Sequence, residues 1–496
     1  MSGKNMSRRK LLKMSLGVAG AMFLGALRGS PALESQPTVL FPGEAPSASG
    51  ASPRLSSEPE EFLKELAEAT WTYLSSPWAT THHLPWSWRS EADDLADGGD
   101  YANTTEIGFY ALCWLAAYDL QRPWSPSWTE TEDEVSAVLD QLRAWQTGSQ
   151  SEEPYGPNAY ENSVFYQWYW ISEKPPVVGA DDGKNQLVPS VDNAWLAASL
   201  IVIREYAQAN GHPSLAQKAD AILESMDFML WYDYNTHLFY WGDIQESGGG
   251  DVIDYYSSES RIINFVARAL GQLPCEEFLL SLEALEQSAV TYEDITVDKA
   301  SWNGAYFLYT SPALFIREMG TSYGAHTITP ATQAQIAYAR NEGYDAWGFS
   351  DCFDVKKGGY VNQGAPPVAM PDPPETRPGL VTPHANALAL ITPLASEAIT
   401  NLRTISDTFP CAYDSTYGFY DSVMVDPEAA DHGQCSYRFS ALAQEWMFLA
   451  LANYQKGFVW DYYYRDAGVV AAHREVFGDH QIYLPLVMHA HAGAED

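Results

Sequence analysis

The chain has 496 residues and a formal net charge of -36, from 64 acidic against 28 basic side chains. So acidic a chain is a poor partner for nucleic acid or anionic membranes and disfavours polyanionic polysaccharides, leaving neutral ligands open. Aromatics make up 13% of it, with 17 Trp and 30 Tyr, many in Gly/Pro/Asp-rich loops such as 84–88 and 232–235; such rings fill a core or stack on the flat apolar faces of sugars.

Residues 1–33 read as a twin-arginine signal. Ser7-Arg8-Arg9-Lys10 leads into an apolar run from Met14 to Leu27, and small residues follow around Ser30-Pro31-Ala32. The run falls short of the roughly 20 residues of a membrane-spanning helix, so the signal is expected to be cleaved, leaving a mature form without a membrane anchor. Residues 34–57, rich in Ser, Pro, Gly and Ala, read as a disordered linker. The catalytic domain is expected over 58–465, followed by a tail, 466–496, with an isolated apolar run at Ile482–Val487.

Helical periodicity recurs near 59–75, 104–120, 130–147, 191–210, 214–230, 258–271, 275–288, 309–318, 331–342, 383–391, 394–405 and 440–455. Thr104 or Thr105 before Glu106, and Ser257-Ser258-Glu259, read as helix starts. The stretch 441–451 is apolar nearly all round and should be buried. Strand-like alternation is scarce. About a dozen helices joined by long aromatic loops predict an all-α (α/α)6 toroid, with chemistry in the loops at one end; no fixed-period repeat supports a solenoid.

The five cysteines lack CxxC spacing, and a Cys411–Cys435 bridge is the pairing open to them. Histidines do not cluster at metal-ligand spacing, and HExxH, Walker, GxGxxG and GxSxG motifs are missing. No metal and no cofactor is expected. Glycoside cleavage without a metal needs two carboxyls, one protonated and one charged. Acids in apolar or aromatic settings are the candidates: Asp192, Glu259, Asp351 with Asp354 nearby, Asp421, Glu106 and Glu445.

The order of motifs resembles the glycoamylase-like family that includes secreted endo-β-1,2-glucanases. It is carried by 164–170 (VFYQWYW), Ser190-Val-Asp-Asn-Ala194, Met226-Asp-Phe-Met229, Phe239-Tyr-Trp-Gly242 and Tyr255-Tyr-Ser-Ser-Glu-Ser260. It continues through Asn341, Trp347-Gly348 with Ser350-Asp351, Thr382-Pro-His-Ala-Asn386, Tyr417-Gly-Phe-Tyr-Asp421, and Gln444 to Trp460. The resemblance implies the toroid and hydrolysis of β-linked glucose polymers with inversion. It places Glu259 at an acid implicated in proton donation, Asp192 at a second cleft carboxylate and Asp351 at a loop acid that contacts sugar. Where the family shows Asp-Gln-Gly-Pro entering the last long helix, this chain reads Ala443-Gln444-Glu445-Trp446, so a base lost there would move to Glu445 or Asp431.

The expected protein is a monomeric, exported hydrolase of a neutral polysaccharide or oligosaccharide, β-1,2-glucan favoured. Glu259 would be the acid, and Asp192, or else Asp351 or Glu445, the base. Trp347, Trp302, Tyr323, Tyr420, Asp421, His384 and Tyr255 would contact sugar. A non-catalytic glycan-binding protein and a polysaccharide lyase are the rival readings.

Overall fold

A computed structural model describes residues 56, 58–90, 98–148, 159–161, 163–172, 177–178, 187–244, 251–355 and 359–478. The signal, most of the linker and the apolar run 482–487 lie outside the described residues.

Fourteen α-helices are described. They are α1 Pro59–Leu74, α2 Thr104–Leu120, α3 Trp128–Thr147, α4 Ser190–Ala209, α5 Pro213–Leu223, α6 Ser260–Ala269 and α7 Cys275–Ala284. The chain continues through α8 Tyr306–Thr310, α9 Thr329–Glu342, α10 Pro383–Ala389, α11 Ala395–Thr408, α12 Ala441–Lys456, α13 Phe458–Tyr463 and α14 Ala467–Phe477. The described strands are at most three residues long.

The even-numbered helices α2 to α12 form an inner ring. α2 packs on α4, α4 on α6, α8 on α10, α10 on α12, and α12 back on α2, closing the circle; Arg261 of α6 reaches the carbonyls of Leu308 and Tyr309 in α8. Sequence explains the layering. α2, α4, α10 and α12 are apolar nearly all round and buried to match, whereas α1, α3 and α11 bury one face and expose the other, as outer helices do. Trp145, Trp195, Trp231 and Trp446 are among the largest fully buried side chains, and large apolar side chains contribute about 1.5–3 kcal/mol each on burial.

The starts of the inner helices are tied together at one end. Ala441 N–H donates to Ser87 O at 2.9 Å and Ser87 Oγ to Glu106 at 2.8 Å, joining α12 to α2. Thr105 Oγ1 donates to Asp192 at 2.7 Å, joining α2 to α4, and Trp195 Nε1 to Glu259 at 2.7 Å, joining α4 to the start of α6. The segment 347–351 links α8 and α10 through Tyr306 N–H to Phe349 O and Thr382 N–H to Gly348 O. Gly348, at φ 112°, is required there: a Cβ would lie 2.4 Å from Asn386 Nδ2.

Three local expectations need correction or extension. α2 starts one residue earlier than the threonines suggest, because Asn103 makes a reciprocal capping box with Glu106. The expected 214–230 helix stops at Leu223, and Asp227 caps a separate 3-10 turn, Phe228–Trp231. Beyond Asp466 the chain adds α14, held to the ring by Arg268–Glu475 at 2.5 Å and by contact with α6. Cys411 and Cys435 form the disulfide; Cys113, Cys275 and Cys352 are free.

Candidate active site

Because the inner helices begin at one end, their first turns and the strands between them gather acids there. Glu259 occupies the position just before α6 and is 4% exposed. Its carboxyl accepts the indole N–H of Trp195. Asp192 lies one turn before Trp195 on the same helix, at the start of α4. Thr105 bonds to Asp192, and burial raises Asp192 to about 6.

A second group comes from the strands. Asp351 Oδ1 accepts from Asn303 Nδ2 at 3.0 Å and Gln363 N–H at 2.6 Å, while its Oδ2 is buried without a hydrogen bond. Burial lifts Asp351 to about 8. Asp421 Oδ2 accepts Phe353 N–H at 2.5 Å, Oδ1 accepts nothing, and burial lifts the group to about 7 against the pull of Arg438. The Tyr360 hydroxyl joins the two groups: burial raises it most, followed by the charges of Asp351, Asp421, Cys352 and Glu259. The charges of Glu259, Asp351 and Asp421 are thus all felt at one phenol, whose hydroxyl donates to the Asp351 carbonyl at 3.2 Å.

His384, in the first turn of α10, is 1% exposed, and neither ring nitrogen has a hydrogen-bond partner. Nδ1 is 3.7 Å from Asp421 Oδ1, within ion-pair range, yet burial drives the imidazole down to about 3. The ring is therefore neutral at working pH, and the pair is two polar groups facing the same space. The indole N–H groups of Trp302 and Trp446 are likewise buried without acceptors. Buried polar atoms in such number on one wall fit a surface that hydrogen-bonds a polyhydroxyl ligand.

Two further acids stand near Asp192 at the starts of α2 and α12, Asp192 raising Glu106 and Glu106 in turn raising Glu445. Glu445 is fully buried with both oxygens unpartnered, and burial followed by Glu106 raises it well above its ordinary value. Its charge acts on Tyr73, Tyr110 and Cys113, which sets it among α1, α2 and α12. Glu106 is held by Asn103 and Ser87, and burial lifts it to about 8. Asp431 is taken up, with Asp354, by Arg377. Tyr323 lies under the Arg261 guanidinium at 4.4 Å, and Tyr420 packs on Phe439 at 4.3 Å. Trp347 is held by Asn401 and Asn386 at its backbone with its ring 6.1 Å from Tyr306. Tyr255 receives Ser258 and Ser260 hydroxyls on its carbonyl.

Sequence reasoning assigned no role to Trp195, Tyr360 or Arg438. Trp195 lies in the quoted apolar helix, where a core reading absorbs it. Tyr360 and Arg438 reach the acids only through strand pairing of Phe353 with Tyr360 and of Arg438 with Ser90. Among the described residues no three His, Cys, Asp or Glu are grouped to hold a metal, and no helix is long and apolar enough to cross a membrane.

Residues 255–467 match the Glycoamylase family model, described as "Putative glucoamylase", in keeping with the resemblance read from motif order. A structure titled "putative glucoamylase" from Bacteroides caccae superposes with a TM-score of 0.67 at 17% identity, covering 85% of this chain and 99% of that one. The endo-β-1,2-glucanase of Chitinophaga pinensis, solved with sophorotriose and glucose, gives 0.67 at 14% identity, covering 85% and 99%. That of Talaromyces funiculosus, a mutant with β-1,2-glucan, gives 0.65 at 14%, covering 85% and 92%. At these identities the fold is shared. No curated protein matches the sequence.

Proposed function

We propose that the protein is an inverting glycoside hydrolase of a neutral β-glucan, with β-1,2-glucan the favoured substrate. The observation that carries this reading is the burial of Glu259 and Asp192 at the starts of neighbouring inner helices, with Trp195 of α4 donating to Glu259. Inversion needs one carboxyl that keeps its proton and one that has lost it. Among the acids at this end with stated values, Asp192 at about 6 ionises before Asp421 at about 7 and before Asp351 and Glu106 at about 8. Asp192 is accordingly assigned as the base that activates water, and Glu259, which the motif resemblance aligns with a proton donor, as the acid that protonates the leaving oxygen. Asp351, Asp421 and His384 present unpartnered oxygens and nitrogens to sugar hydroxyls. The substrate choice draws on the β-1,2-glucan and sophorotriose bound by the two glucanases of this fold. The basic leader supports export by the twin-arginine route to the envelope or exterior.

The test is reducing-sugar release from a panel of neutral glucans, with the anomer of the first product read by NMR. The expected result is activity on one β-glucan, an α-anomer product, and loss of at least a thousand-fold in Glu259→Gln and Asp192→Asn. A β-anomer, or full activity in either variant, overturns the assignment. A second reading, a non-catalytic glycan-binding protein, is favoured by Ala443 in place of the family's Asp and by the withdrawal of Glu445 between helices. Tight glucan binding without product release would select it.

A further inference from the structure

Two of the three residues before Glu259, Tyr256 and Ser258, are fastened by a buried cation. Arg261 is fully buried, and its Nη1 donates to Tyr256 O at 2.9 Å, Ser258 O at 3.0 Å and Leu308 O at 3.3 Å. Nη2 donates to Tyr309 O at 3.0 Å, and Nε and Nη2 together grip Glu318 at 2.8 and 3.3 Å. Ser258 O belongs to the peptide that carries Glu259, so the guanidinium sets where that carboxyl points.

A cation this close would ordinarily make a neighbouring carboxyl give up its proton, the opposite of what a proton donor needs. Glu318 is fully buried and bidentate on that same guanidinium, so the pair presents no net charge to the turn. Lys299 makes no ion pair among the described residues, though the charges of Glu318 and Asp298 act on it from farther off: its Nζ stands 3.5 Å over the Tyr256 ring, and its carbonyl receives the Ser257 hydroxyl. Burial and then Arg261 lower Lys299 to about 8.

We propose that Arg261 and Glu318 act as one neutral clamp, Arg261 positioning Glu259 in the cleft and Glu318 cancelling the cation so that Glu259 keeps the proton it donates. This rests on Glu259 being the acid. Among the described contacts, the groups that act with Glu259 are the Trp195 indole of α4 and Tyr360, which also feels Asp351 and Asp421; Lys299 and Tyr323 flank the clamp. None of these supplies the compensating charge on Arg261.

The measurement is the carboxyl resonance of Glu259 in protein labelled with carboxyl-13C glutamate, assigned by its loss in Glu259→Gln and titrated alongside the pH profile of hydrolysis. Glu318→Gln keeps an acceptor for Arg261 Nε but uncovers the cation. Its Glu259 midpoint should fall by at least about one pH unit, as for a charge within about 10 Å at an effective dielectric near 20, and the alkaline limb of activity should move with it. Lys299→Met removes the uncancelled cation and should move both upward. The double variant Arg261→Met/Glu318→Met should leave the midpoint near the wild type while kcat drops at least ten-fold at similar KM. A folded Glu318→Gln whose Glu259 midpoint is unmoved overturns the proposal. If that variant does not fold, a Lys299→Met midpoint that stays or falls overturns it instead. The resonance reads the clamp even in a protein that cleaves no glucan, so a failed hydrolase reading and a failed clamp are told apart.

Discussion

Trp195 packs against Phe109 and Phe315 at 5.5 and 5.6 Å while its N–H reaches Glu259. Trp195→Phe preserves most of that packing and deletes the donor. Loss of a hydrogen bond to a carboxyl, at about 1.5 kcal/mol, predicts a kcat about ten-fold lower with Tm little changed; an unaltered kcat would show that Glu259 does not depend on the indole. Glu445 makes the opposite prediction. A buried polar group without a partner costs about 1–3 kcal/mol, so Glu445→Met should raise Tm in thermal melts. With Asp192 as base, the same variant should retain hydrolysis. Glu259, Asp192, Asp351 and Asp421 were legible because each is an acid in an aromatic or apolar stretch, where solvation does not explain it. The withdrawal of Glu445 was not, since its neighbours Tyr73 and Glu106 lie more than 300 residues away in sequence. Arg438 was equally hidden, its strand partner Ser90 being as distant.

The helices were far easier to read than their contacts. Period alone marked twelve spans, and most of both rings fall on them because all-round apolar helices must be buried and one-faced helices must border solvent; the expected 309–318 helix is instead α8, Tyr306–Thr310, followed by a 3-10 turn at Pro312–Leu314. The short strands carry no periodic signal at two or three residues, yet they deliver Asp351 and Asp421. Crowding acids at the helix starts has a measurable cost. Glu106, Asp192, Asp351 and Asp421 all titrate above their ordinary values. Their folded forms bind protons that the unfolded chain has released, so this stability is full below about pH 4 and is lost as pH climbs to about 8. His384, lowered to about 3 from 6.5, works in reverse, its contribution being lost as pH falls below 6.5. Above pH 6.5 only the carboxyls act. Tm should therefore fall between pH 6.5 and 8, and Asp351→Asn should flatten that slope; a Tm rising over this interval would contradict the assignment.

At the scale of the molecule, the disulfide fastens the end of α11 to the strand region that carries Asp421, across a separation of 24 residues. Closing a loop of that size stabilises by about 3 kcal/mol in the chain-entropy picture. Denaturant unfolding of the Cys411→Ala/Cys435→Ala variant should show a loss of that order, with Cys113 and Cys352 remaining buried.

The ring closes where α12 meets α2, and Tyr73 of α1 donates to Phe439 O across 366 residues. A circle joined at its two ends cannot be completed by a growing chain: the first inner helix lacks its last neighbour until residue 456 has been made. Contacts of such span are slow to form, so final closure comes after synthesis rather than during it. On the proposed twin-arginine route, which carries folded proteins, that delay falls inside the cell, and the leader would have to wait for the circle to shut before the molecule leaves.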